Sequence, residues 1–71
     1  MRFTHHAKNT LRQNRWSQRE ALGVILNPVK VDADEFCNPR YLGYIRGDLA
    51  RVVVAADDPN LVITVHPRRH P

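Results

Sequence analysis

Tyr44, Arg46, Arg51, Thr64 and His66 are the side chains here whose types and spacing suit work on a phosphodiester. An imidazole with an ordinary pKa of about 6.5 can move a proton to or from a 2′-hydroxyl or a leaving oxygen near neutral pH. A guanidinium beside it binds the phosphate and offsets the charge that develops during displacement. That chemistry needs no metal and takes RNA as its substrate, since the attacking hydroxyl is the ribose 2′-OH. Without proton transfer, the same set is a binding surface on which Tyr44 stacks against a base and the arginines hold the backbone.

Other chemistries find less support. His5-His6, His66 with His70, and Cys37 are the candidate metal ligands, but there is no CxxC pair, no helical HxxxH and no paired carboxylate. His66 and His70 are four apart, yet Pro67 and Pro71 break the helix that would bring them together. Adjacent His5 and His6 point in different directions on a helix, so one of them at most faces a site. Cys37 has no neighbouring base and reads as an inert thiol. Neither a glycine-rich phosphate loop nor a nucleotide-cofactor fingerprint is present, so no cofactor and no metal are expected.

The elements that must position these groups follow from periodicity. Phe3, Ala7 and Leu11 share one stripe of a first helix, with Thr4 suited to cap it. Ser17 and Glu20 have the spacing of a capping box, and Ala21, Leu22, Ile25 and Leu26 follow at helical spacing until Asn27-Pro28. Trp16, just before that cap, packs back on the first turns. After Pro28 the period becomes two. Val29, Val31 and Ala33 alternate with charged residues as in an edge strand, and Tyr41 to Arg46, Leu49 to Ala56 and Leu61 to His66 are three further strands. Gly47-Asp48 is the expected hairpin turn, and Asp57 to Asn60 is a second turn. The expected fold is therefore α+β, with two N-terminal helices on one face of a four-stranded antiparallel sheet.

A Gly47-Asp48 turn sets Ile45 opposite Ala50 and Tyr44 opposite Arg51. Tyr41, Ile45, Ala50, Val52 and Val54 then meet the helices, joined by Leu61, Ile63 and Val65 from the last strand. Tyr44, Arg46, Arg51, Thr64 and His66 share the opposite, open face. A slip of one residue would invert the assignment.

Length and charge bound the rest. The chain has 71 residues, 42% hydrophobic and 25% charged, which suits one small domain over residues 1–71. Its single cysteine and the lack of a leader point to the cytoplasm, and no apolar run approaches the roughly 20 residues of a membrane span. The net charge is +4. Arg2, Lys8, Arg12, Arg15, Arg19 and Lys30 face Glu20 alone in the first third, a block able to hold an anionic partner.

Phe3-Thr4-His5-His6-Ala7, then Trp16-Ser17 before a helix ending at Asn27-Pro28, then Val62-Ile63-Thr64-Val65-His66-Pro67 together resemble a family of short bacterial and phage domains. Those domains look like relatives of RelE-type toxins within the barnase and colicin-like endoribonuclease superfamily. The family pattern opens with a His-Ala pair, matched by His6-Ala7, and places arginines four and eight positions after the histidine. Thr10 and Asn14 stand there in this chain, with Arg12 and Arg15 nearby. The resemblance implies a RelE-like sheet packed on two helices and RNA as the partner.

The resulting expectation is an RNA-binding protein and, as the sharper reading, a metal-independent endoribonuclease toxin. His6 or His66 is its acid or base and Arg51, with Arg46, holds the phosphate. Arg12, Arg15, Arg19, Tyr44 and Thr64 are supporting nucleic-acid contacts. Whether His6 and His66 share one site is left open by the sequence. A toxin of this type implies a cognate antitoxin as a second partner. The rival expectation is a non-catalytic bacterial or phage protein that binds and regulates a host protein or nucleic acid.

Overall fold

In the computed structural model, which describes residues 1–68, the chain order is β1 (Arg2–Phe3), α1 (His5–Asn14), α2 (Gln18–Leu26), β2 (Lys30–Ala33), β3 (Pro39–Ile45), β4 (Asp48–Ala55) and β5 (Asp58–Pro67). The strands form one sheet in the order β1-β5-β4-β3-β2. It is a five-stranded mixed sheet, and this corrects the expected four-stranded antiparallel one. The added strand is β1, which pairs parallel with β5 through Arg2 with Leu61 and Phe3 with Val62. Two residues are too few to show a period of two, so Phe3 reads in the sequence as part of the helical stripe. It belongs to the strand, yet its ring enters the same core as Ala7 and Leu11.

Both helices start on side-chain caps. Thr4 accepts from the Ala7 amide at 3.1 Å, and α1 ends with Arg15 in the left-handed region at φ 57°. Ser17 accepts from the Glu20 amide at 3.1 Å while the Glu20 carboxylate accepts from the Ser17 amide at 2.9 Å, a closed capping box. A cap of this kind contributes about 1 kcal/mol to a helix. One core lies between the helices and the sheet, built from Ala7, Leu11 and Trp16, from Ala21 and Val24, and from Ile45, Ala50, Val52, Val54, Val62 and Val65. α2 comes so close to β3 that a Cβ on Gly43 would meet Val24 Cγ1 at 3.1 Å. No helix among the described residues is long and apolar enough to cross a membrane.

The β3–β4 turn lies one residue earlier than expected. Arg46 and Gly47 form it, at φ 48° and 85°, the paired positive values that suit a two-residue hairpin. The pairing is therefore Ile45 with Asp48, Gly43 with Ala50 and Leu42 with Arg51, two residues away from the expected register. A slip of two preserves every face, because side chains alternate with a period of two. Tyr44 and Arg51 stay on the open face, although they are no longer opposite each other.

On β5 the expectation fails in its first half. Val52 pairs with Val65 and Val53 with Thr64, but Val54 pairs with Val62, so Ile63 is an extra residue. This β-bulge turns Val62 inward, where it is fully buried, and removes Leu61 and Ile63 from the core positions assigned to them. Beyond the bulge, Thr64 and His66 face away from the helices as expected.

Candidate nucleic-acid interface

The sheet face that the helices leave uncovered can be read across the strands. Lys30 on β2 is opposite Leu42 on β3, Leu42 is opposite Arg51 on β4, and Arg51 is opposite His66 on β5. Asp32, Arg40, Val53 and Thr64 form the next row. Tyr44 and Leu49 form another, which Arg68 extends by donating its amide to the Leu49 carbonyl at 2.8 Å. The face is thus a cationic strip with apolar and aromatic side chains between its charges.

His6 reaches this strip from the side. β1 runs parallel to β5 up to Val62, and the chain then rises into α1 along the same edge. The Thr4 amide donates to the Val62 carbonyl at 3.0 Å, and the Thr4 hydroxyl donates to the next carbonyl, that of Ile63. With the first turn fixed there, the His6 and His66 rings stand 6.3 Å apart, edge to face at 63°. The structure therefore places His6, His66 and Arg51 in one cluster. Thr64 joins them, its Oγ1 being 3.2 Å from His66 Nε2.

The electrostatics of the cluster follow from its neighbours. Burial depresses the pKa of His66 below its ordinary value, and the proximity of His6 and Arg51 pushes it the same way. Each of these disfavours a positive charge on the ring. The Arg51 guanidinium is also held below its usual range, first by burial and then by Arg68 and Arg40. Arg40 is largely committed elsewhere, since its guanidinium grips the Asp32 carboxylate at 2.9 and 2.8 Å. That pair lowers the pKa of Asp32 and raises that of Arg40.

Other candidates are distributed differently. Arg46 lies in the turn, where it pairs with Glu20 at 2.8 Å and donates to the Arg15 carbonyl, so it braces the helices instead of joining Arg51 on the strip. Arg12, Arg15 and Arg19 are exposed on the helix layer. Arg12 is six positions after His6, about 120° around the helix, and does not extend the His6 side. Thr10 and Asn14 do lie on that side, but the Thr10 hydroxyl bonds back to the His6 carbonyl at 3.2 Å and the Asn14 amide to the Thr10 carbonyl at 2.8 Å. Tyr44 is 62% exposed and, with Asn14, Trp16, Leu49 and Arg68, lines a groove of about 610 Å³ at one end of the strip.

Sequence reasoning did not place Arg68 or Lys30 on this face. The signal for Arg68 is the alternation of Thr64, His66 and Arg68, which continues past the strand into what reads as a tail. Lys30 becomes part of the face only through its pairing with Leu42. Cys37 is exposed in the β2–β3 turn at φ 66°. Among the described residues no group of three His, Cys, Asp or Glu side chains comes together, and His70, named above as a possible ligand, lies outside them.

Comparison of the chain with protein-family models, with curated proteins and with solved structures finds no match.

Proposed function

We propose that this protein binds single-stranded RNA on its open sheet face and cleaves it without a metal, as an endoribonuclease toxin of the RelE type would. The observation that carries the proposal is the meeting of His6 and His66 beside Arg51 on a face that no helix covers. His66 is the base, because its surroundings keep the ring neutral at neutral pH. It takes the proton of a ribose 2′-hydroxyl as that oxygen attacks the adjacent phosphorus. Arg51 holds the phosphoryl oxygens, with Arg68 beside it. The bond from phosphorus to the 5′-oxygen breaks, and His6 gives that oxygen a proton. The products are a 2′,3′-cyclic phosphate and a 5′-hydroxyl end, and no oxidant, metal or cofactor enters the balance. Tyr44 is the stacking platform for a neighbouring base.

The test is incubation of the purified protein with single-stranded RNA in excess chelator. Cyclic phosphate ends should form, and His66→Ala, His6→Ala and Arg51→Ala should each remove them while leaving the thermal transition close to that of the parent. Cleavage that persists in all three variants overturns the site.

Thr10 and Asn14, where the resembling family carries arginines, favour a second reading in which the face binds and regulates but does not cut. It gives saturable RNA binding with no new ends in the same assay.

A further inference from the structure

We propose that the protein is a symmetric dimer, formed by antiparallel pairing of β2 with β2 of a second copy. This inference stands apart from the nuclease reading and rests on the opposite edge of the sheet. β2 is a terminal strand: one side pairs with β3, and the other has no partner strand among the described residues. Such an edge is a template for another strand unless it is blunted. Here it is not blunted by proline or a bulge, and apolar side chains gather around it. Of the exposed large hydrophobic side chains, Leu26 at 78%, Val29 at 62%, Val31 at 53% and Phe36 at 73% all lie on β2 or on the segments that flank it.

The sequence of β2 identifies the occupant. In a two-fold antiparallel pair centred on Val31, that residue meets its own counterpart, and Val29 lies opposite Ala33 of the second copy. Lys30 then lies opposite Asp32 of the second copy, and by symmetry Asp32 opposite its Lys30. The strand is thus complementary to itself in charge, at both flanking positions of one register. Asp32 lies on the open face, where Arg40 of β3 binds its carboxylate at 2.9 and 2.8 Å, so Lys30 of the second copy adds a second cation to that carboxylate from the free side. Val29, Val31 and Ala33 occupy the other face, beside Leu26 at the end of α2. Reversal of the strand brings Leu26 of one copy to the same end of the pair as Phe36 of the other. A register shifted by two would oppose Lys30 to itself or Asp32 to itself, and like charges opposite each other weaken a strand pair. Because the two-fold axis is normal to the sheet, both open faces lie on the same side of one continuous sheet.

The first test is sedimentation of the full chain at increasing concentration. A dimer is expected, and Lys30→Glu, which sets two acidic pairs across the axis, should weaken it about tenfold or more. Val31→Lys, at the self-paired position, should abolish it. Both sites are exposed, so both variants fold, which a thermal melt confirms. The second test fixes the register. In a Cys37→Ser background, Val31→Cys should form an interchain disulfide readily on mild oxidation. Val29→Cys should not, since it lies about 13 Å from its own counterpart along the strands. A wild-type chain that stays monomeric at its solubility limit, or a Val29→Cys link that forms as fast as Val31→Cys, overturns the proposal. The first of these results would leave the edge to a strand from a different protein.

Discussion

The hydroxyl of Thr4 donates to the carbonyl of Ile63, 59 residues away in sequence, while the Thr4 amide donates to the carbonyl of Val62. Consecutive carbonyls of a regular strand point to opposite sides. Both reach Thr4 here because Ile63 is the bulged residue of β5. One threonine therefore caps α1, ties it to the strand and sets His6 against His66.

Replacing Thr4 should report on all three roles. Thr4→Val, nearly the same in volume, should cost about 1–2 kcal/mol through the lost cap and should separate the two rings. Thr4→Ser should retain the geometry. Nuclear magnetic resonance of the imidazole protons, with and without each substitution, measures the effect. Unchanged His66 titration in Thr4→Val would show that the cap does not position the pair.

The pH dependence follows from His66. Its folded pKa lies below the ordinary 6.5, so between those values the unfolded chain binds more protons than the folded one. Stability contributed by this group is complete above pH 6.5 and falls as the pH drops toward the folded pKa. His66→Gln should flatten that part of the profile in denaturant titrations. His6→Ala and Arg51→Ala, by removing neighbours that oppose the charge, should each raise the His66 pKa.

Phosphate contact should be concentrated on the open face. RNA affinity should fall steeply with salt, and Arg51→Ala and Arg68→Ala should lower the slope of log affinity against log salt by close to one each. Arg46→Asn is the contrasting variant. It retains a residue suited to positive φ before Gly47, so it should fold while leaving RNA affinity near that of the parent. Equal losses in Arg46→Asn and Arg51→Ala would move the binding surface to the helices.

The bulge also predicts unequal neighbours in the core. Val62→Ala removes a fully buried side chain and should cost about 2 kcal/mol. In a chain of this size that corresponds to a fall in Tm of roughly 8–16 °C. Ile63→Ala, at the half-buried extra residue, should cost less than half as much despite deleting more carbon.

These outcomes reflect what the sequence could and could not disclose. The capping box at Ser17 and Glu20 is a local pattern, and it is present as read. The placement of Tyr44 and Arg51 on the open face survives an error in the turn because that error was two residues, one full period of the strand. Leu61 and Ile63 were misplaced because a bulge depends on pairing, and nothing in the alternation of β5 marks where its extra residue falls. β1 is too short to be periodic. The His6–His66 contact depends on β1, the bulge and Thr4 together, so it was the part of the site least visible in the sequence.

The two edges of the sheet are unequal. β1 and the first turn of α1 occupy the outer side of β5, where Thr4 has taken two of its carbonyls, whereas β2 has no such cover among the described residues. In the two-fold pair proposed above both β2 edges are used, and the strand left at each end of the joined sheet is the two-residue β1. Two residues are a short template for a further strand, so the pairing that would join two copies leaves little on which a third could build.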